Sequence, residues 1–285
     1  MKTAIVTCSN SGLDYLEHSD EIKIMRSSIH FGSEEVYQDY IEMNNKVFYE
    51  RLTKNPDVIP STSFMTIGRM LEMFDSLKEK GYDEAIVIVI SSKMSNLYDA
   101  VRNLADQVEI KIHAFDSRTL AYPESYMVLK AFEMSKEGKN ASEIIPVLEK
   151  IRNNTGTWFT VDTLLYLIKN GRLSKFSGAL GTLLKIRPVL VIDREGKVAT
   201  LEKQRTTKKS MERLVELYKE ATYGKNTITC IIHADNPAGV EFLREEIKKV
   251  FPKRTIDEVP LTPVVGTHAG PKAIGIGYIT IDEKE

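Results

Sequence analysis

The chain has 285 residues, of which 42% are hydrophobic and 28% charged, and its net charge is −1. This is the composition of a globular protein with room for two ordinary domains, and it offers no global positive charge to attract nucleic acid. Two cysteines without CxxC spacing, an N-terminus that turns polar too early for a signal segment, and no apolar run near the roughly 18 residues of a membrane span lead us to expect a reduced, soluble, cytoplasmic protein with no integral membrane segment.

Ala4-Ile5-Val6 reads as a short strand, followed by a turn at Ser9-Asn10-Ser11-Gly12. Ile67, Met70, Leu71, Phe74 and Leu77 recur at helical spacing, and Gly81 closes that helix. Residues 84–91 form the clearest strand, a continuous apolar run suited to a sheet covered on both faces. A helix marked by Leu97, Val101 and Leu104 and a strand over 110–115 follow, which predicts a parallel sheet with crossover helices. Helices over 122–136 and 141–153 complete this half. The pattern changes near Asn153-Asn154-Thr155-Gly156. Beyond it we expect a strand at Trp158-Phe159-Thr160-Val161, a helix with Leu164, Leu165, Leu167 and Ile168, and a strand at 189–192. A hairpin turn at Asp193-Arg194-Glu195-Gly196 leads into 197–201. A helix (206–222), a strand (227–233), a helix (236–250) and two closing strands end the chain. The fold class is therefore α/β: an N-terminal three-layer domain on a parallel sheet (1–155) and a C-terminal α+β domain (156–285).

Several segments carry candidate chemistry. Gly266-Thr267-His268-Ala269-Gly270-Pro271 reads as a loop of small residues around one imidazole, where glycines let a ligand approach the backbone. Ile59-Pro60-Ser61-Thr62-Ser63 lies just before a helix, its hydroxyls serving either as caps or as part of an anion site. Ser91-Ser92-Lys93-Met94-Ser95 follows the strongest strand, at the carboxyl edge where open α/β sheets bind ligands, and Asp116 ends the next strand at the same edge. Lys169 and Arg172 end a helix at Gly171, and Lys203, Arg205, Lys208 and Lys209 make a basic cluster that is either a solvated face or a docking patch. There is no GxxxxGK[ST] phosphate loop, no HExxH and no GxSxG elbow, and the five histidines lack metal-ligand spacing.

In order along the chain, several motifs resemble those of the DegV family, the fatty-acid-binding proteins of bacteria. They are Ile29-x-Phe31-Gly32-x-Glu34-Glu35-x-Tyr37-x-Asp39, Thr62-Ser63, Ser91-Ser92-x-Met94-Ser95, Asp116-Ser117, Tyr166-Leu167-x-x-x-Gly171-Arg172, Lys185-x-Arg187-Pro188 and Gly266-x-His268-x-Gly270-Pro271. Cys8 stands where the family has an acidic residue, and Phe64-Met65-Thr66 where it has Gln-Pro-Ser. Asn96-Leu97 replaces Gly-Thr, and Lys272 replaces a third small residue.

The resemblance implies a long-chain fatty acid buried between two domains. Its carboxylate would be held by Thr62, Ser95 and His268, with Ser63 and Ser92 as neighbours able to substitute, and Arg172, Gly266 and Gly270 as site support. It further implies a carrier rather than a catalyst. A separate fatty acid kinase, docking at a surface that includes Arg205, would phosphorylate the carboxylate with ATP to an acyl-phosphate for phospholipid synthesis. No cofactor or metal is called for. The chemistry is consistent: about 15 buried methylene-equivalents at roughly 0.8 kcal/mol each bound the gain near ~12 kcal/mol, less the costs of association. The carboxylate needs donors because an unpaired buried charge is costly. Met25, Met65, Met70, Met73, Met94 and Met127 are adaptable side chains that either line a tunnel or pack a core. Two other classes stand beside this reading: a lipid-responsive regulatory protein serving no kinase, and a serine hydrolase using Ser95 or Ser92 with His268 and Asp116.

Overall fold

The computed structural model describes residues 1–173 and 186–281. Along the chain run β1 (Thr3–Cys8), β2 (Lys23–Met25), β3 (Ser28–Phe31), β4 (Glu35–Gln38), α1 (Asn45–Lys54), β5 (Ser61–Ser63) and α2 (Ile67–Glu79). Then come β6 (Glu84–Val89), α3 (Leu97–Leu104), β7 (Lys111–Asp116), α4 (Tyr122–Lys136) and α5 (Ala141–Asn153). The second half carries β8 (Thr155–Thr160), α6 (Leu165–Lys169), β9 (Arg187–Ile192), β10 (Val198–Gln204) and α7 (Thr207–Thr222). It ends with β11 (Asn226–His233), α8 (Pro237–Val250), β12 (Asp257–Pro260), α9 (Pro263–Ala269) and β13 (Ile274–Ile281).

Strands β2-β1-β6-β7 form a wholly parallel sheet. Its strands are apolar without interruption because both faces are covered. Alternate residues part company: Val6, Val87 and Val89 pack with Phe74 and Leu77 of α2 and with Leu97 and Val101 of α3. Ile5, Ile86 and Ile88 pack with Val128 of α4 and Ile144 of α5. The expected three-layer arrangement is what these residues build. A six-stranded mixed sheet follows, ordered β10-β9-β8-β13-β11-β12 and antiparallel except for the last pair. One face carries α7 and α8 through Leu214, Tyr218, Leu243 and Ile247. The opposite face presents Leu190 and Ile232 to Phe48 and Leu52 of α1 and to Val264 of α9. Because α5 ends at Asn153 and β8 begins at Thr155, the chain passes from the parallel-sheet half to the six-stranded sheet at Asn154, and a cut at 155/156 leaves the first residue of β8 with the first half.

The segment between residues 20 and 65 departs from the sequence reading, which placed no strands or helix there. It forms β2, β3, β4, α1 and β5, with β4-β3-β5 as a small antiparallel sheet. Three- and four-residue strands are too short for alternation to declare itself. The two large sheets are tied together at the β9–β10 turn, where the Ser91 hydroxyl donates to the carbonyl of Gly196 at 2.8 Å.

Candidate functional site

Between the parallel sheet's carboxyl edge and the inner face of the six-stranded sheet lies a cavity of about 640 Å³. Its wall is mainly apolar, including Ile90, Leu120, Phe159, Ile192, Val198 and Ile232. Leu120, Phe159 and Val198 pack against the core clusters on both sides, so the cavity is the seam where two cores fail to close. Of the six methionines considered from sequence, Met65 and Met94 line it. Met25, Met70 and Met127 are fully buried in the cores of the parallel sheet, and Met73 packs against one of them.

One end of the cavity is polar. Thr62, Ser63, Ser92, Ser95, Arg172 and His268 all border it, and Ser63, Thr66, Lys93 and Asn96 are exposed there, which marks this end as the mouth. Thr62 Oγ1 and His268 Nε2 are 2.9 Å apart. Burial pushes the His268 pKa down to about 3, with the Arg172 charge adding to the effect. The imidazole is thus neutral at physiological pH, and its buried Nδ1 has no hydrogen-bond partner among the described residues.

Thr62 and Ser63 do not cap a helix, as one sequence reading had it. They belong to β5, with Ile29 opposite Thr62 and Ser28 opposite Ser63. Strand alternation separates them: Thr62 turns to His268, whereas Ser63 is exposed and bonded to His30 Nε2 at 2.8 Å. Ser95 keeps a capping function, accepting from the Leu97 N–H at 3.2 Å as α3 begins. Its own hydroxyl proton remains available. The Ser92 N–H donates to Asp116 Oδ1 at 3.1 Å, and the Arg118 N–H donates to the same oxygen at 2.9 Å. Asp116 therefore shapes the serine loop, and among the described residues no Ser-His-Asp triad is assembled around His268.

The expected loop around His268 is instead the helix α9. Pro263 sits in its first turn, where a missing N–H is harmless. Thr262, the residue before it, makes no side-chain cap. That role falls to Asp39, whose Oδ1 accepts from the Val264 N–H at 3.2 Å. Burial raises the Asp39 carboxyl to about 7. Gly266 and Gly270, expected to clear space for a ligand, do not border the cavity. A Cβ on Gly266 would lie 2.3 Å from the Tyr49 hydroxyl, and one on Gly270 would lie 2.6 Å from the Tyr166 ring. Their clearance serves the packing of α9 against α1 and α6.

Arg172 joins the mouth's elements. After the left-handed Gly171, its Nε donates to the carbonyl of Met94 at 3.0 Å and its Nη1 to that of Asn170 at 2.5 Å. Burial lowers its pKa from the ordinary guanidinium value, yet a guanidinium stays charged. Asn170, Asn10, Ser27 and Asp39 were not given functional roles from the sequence. Asn170 Nδ2 donates to Pro60 O at 3.3 Å and to Thr267 O at 3.1 Å, holding the Thr62 strand beside the His268 helix. Arg187 pairs with Asp162 at 3.2 Å, away from the cavity wall. Arg205 is exposed between β10 and α7, outside the cavity. Lys185 lies outside the described residues. At position 8, where the resemblance expects an acid, the buried Cys8 thiol donates to Glu124 Oε1 at 3.3 Å, and burial raises both groups' pKa values. Among the described residues no group of three or more His, Cys, Asp or Glu could hold a metal ion, and no helix is long and apolar enough to cross a membrane.

Residues 2–280 match the family model described as "Uncharacterised protein, DegV family". A DegV domain-containing protein of Halalkalibacterium halodurans is 34% identical over 280 residues, covering 97% of this chain and 98% of that protein. Among solved structures, the fatty acid binding DegV family protein of Streptococcus agalactiae superposes with a TM-score of 0.90 at 25% identity, covering 99% of this chain and 100% of that one. DegV of Bacillus subtilis, a fatty acid binding protein, superposes with a TM-score of 0.85 at 30% identity over the same shares. This chain belongs to the DegV family.

Proposed function

We propose that the protein binds one long-chain fatty acid, its acyl chain in the cavity and its carboxylate at Thr62, Ser95 and Arg172, with His268 behind Thr62. The observation that carries this reading is the joining of an apolar cavity of about 640 Å³ to a polar mouth built around the Thr62–His268 pair. The volume is that of a small-molecule site. The fatty acids bound by the S. agalactiae and B. subtilis relatives support the ligand class.

Each side chain has a distinct part. A neutral His268 protonated at Nε2 donates to Thr62 Oγ1, which leaves the threonine proton free to donate to a carboxylate. His268 then orients a donor rather than contacting the anion first. Ser95 already accepts from the Leu97 N–H, so its proton is also directed outward. Arg172 supplies the positive charge that makes burial of a carboxylate tolerable. Ser92 borders the same space and can replace Ser95 as a donor, whereas Ser63 is committed to His30.

The finer reading is that of an acyl carrier. With its carboxylate at the exposed end of the cavity, the ligand would be within reach of a separate ATP-dependent fatty acid kinase that forms acyl-phosphate, and Arg205 is the docking candidate. Titration calorimetry with palmitate tests the binding. Thr62→Val and His268→Ala should each weaken it by at least about tenfold, which corresponds to ~1.4 kcal/mol. A wild-type protein that takes up neither palmitate nor oleate overturns the reading. Acyl-phosphate formation with a cognate kinase and ATP tests the carrier step separately.

A further inference from the structure

Two further polar residues, Asn10 and Ser27, border the same cavity. Asn10 lies in the tight turn Ser9–Ser11 that follows β1. Ser27 immediately precedes β3, and its N–H donates to Ser9 Oγ at 3.2 Å, so it is pinned against that turn. The Asn10 carbonyl accepts from the Ala121 N–H at 3.1 Å, and the Ser27 carbonyl accepts from the Asp39 N–H at 2.9 Å. The backbones of both residues are thus fixed by hydrogen bonds. Their side chains have no hydrogen-bond partner among the described residues, although Ser27 is only 3% exposed. The cavity they border is lined mainly by apolar side chains, among them Ile90, Leu120, Ile192 and Val264.

Asn10 is half-buried at the cavity wall, and a buried hydroxyl such as that of Ser27 without a protein partner is uncommon because it forfeits hydration for nothing. For a plain acyl chain, an apolar residue would be the better choice at either position. An amide and a hydroxyl together offer donors and acceptors in one place, the complement of an oxygen substituent on the ligand. Their depth follows from register. Ile29 faces Thr62 across the β3–β5 pair, and alternation puts Ser27 on the same face as Ile29. Just before β3 and diagonal to Thr62 across the pair, Ser27 lies roughly 7–8 Å from Thr62. The matching substituent therefore sits several carbons in from the carboxylate, well short of the methyl end.

We infer that Asn10 and Ser27 form a specificity subsite for fatty acids bearing a hydroxyl or keto oxygen in the carboxyl-proximal half of the chain. The inference rests on the fatty-acid reading of the cavity and adds the class of chain preferred. A site arranged to hydrogen-bond a substrate oxygen discriminates against the analogue lacking it.

The test is competition binding of stearate against a positional series of hydroxystearates, using the full chain. One proximal isomer is expected to bind at least about tenfold more tightly than stearate. In Ser27→Ala and in Asn10→Leu that preference should collapse towards unity. Stearate's own affinity, read in the same titration, reports whether each variant has a formed cavity. If stearate binds but no hydroxystearate exceeds it, the subsite is refuted and the fatty-acid reading survives. If neither stearate nor any hydroxystearate binds, both are refuted. A preference that persists in both variants also overturns the assignment to Asn10 and Ser27.

Discussion

Thr62 and His268 meet at 2.9 Å although 206 residues separate them in the chain. Burial and the nearby Arg172 charge, rather than this contact, set the protonation state of the imidazole, pushing its pKa down to about 3. The unfolded chain takes up that proton near 6.5, whereas the folded chain resists it until far lower pH. This contribution to stability is fully present above 6.5 and is lost as pH falls through 3. Nitrogen-detected NMR of the ligand-free protein should show His268 as one neutral tautomer, protonated at Nε2, from pH 8 down to 5. A resonance that titrates near 6.5 contradicts the assignment.

Asp39 has the opposite sign. Its folded pKa of about 7 lies above the unfolded value of 3.8. Its contribution is fully present below about pH 4 and is lost as pH rises through 7, with a slope of at most roughly 1.4 kcal/mol per pH unit. Asp39→Asn retains an acceptor for the Val264 N–H but cannot ionise. Urea titrations at pH 4.5, 6 and 7.5 should show wild type losing stability relative to Asp39→Asn as pH rises. Parallel curves for the two proteins would dismiss the buried acid as their cause.

The Gly196 turn links the two large sheets through the Ser91 hydroxyl. Gly196 has φ +85°, and a Cβ there would lie 2.1 Å from Ser91 Oγ. Gly196→Ala should cost at least ~1–3 kcal/mol from backbone conformation alone, plus the contact. Ser91→Gly in the same chain removes the serine side chain but leaves the backbone strain, so the double variant should recover part of the loss. A double-mutant cycle with no coupling between the two positions is the contrary result.

Arg205 is exposed and lies outside the cavity. Arg205→Ala should leave palmitate affinity unchanged while raising, several-fold, the carrier concentration at which a cognate kinase reaches half its maximal rate, as loss of a rim charge at a docking surface does. An unchanged kinase titration sinks the docking assignment.

Much of the large-scale fold was legible because its elements are long and periodic. The run from Glu84 to Val89, the helical spacing of Met70, Phe74 and Leu77, and α4 and α5 all announce themselves by burial pattern. Thr62, Ser95 and His268 were legible as chemistry through their hydroxyls, their imidazole and their motif resemblance, and all three border one cavity. Their local structures were not. The small residues from Gly266 to Gly270 read as a loop because glycine signals clearance, and nothing in the sequence shows that Tyr49 and Tyr166 occupy that clearance. Ser61–Ser63 read as a helix entry because a three-residue edge strand has no periodicity of its own. Asn170 and Asp39 act through backbone groups about 100 to 225 residues away, a relation that spacing along one chain does not encode.

The most direct test of the central claim is native mass spectrometry of the purified protein, followed by denaturing extraction and lipid identification. The account predicts one long-chain fatty acid per folded chain, released on denaturation, or taken up stoichiometrically when palmitate or oleate is added to lipid-free protein. A chain that emerges lipid-free and accepts neither acid would contradict it.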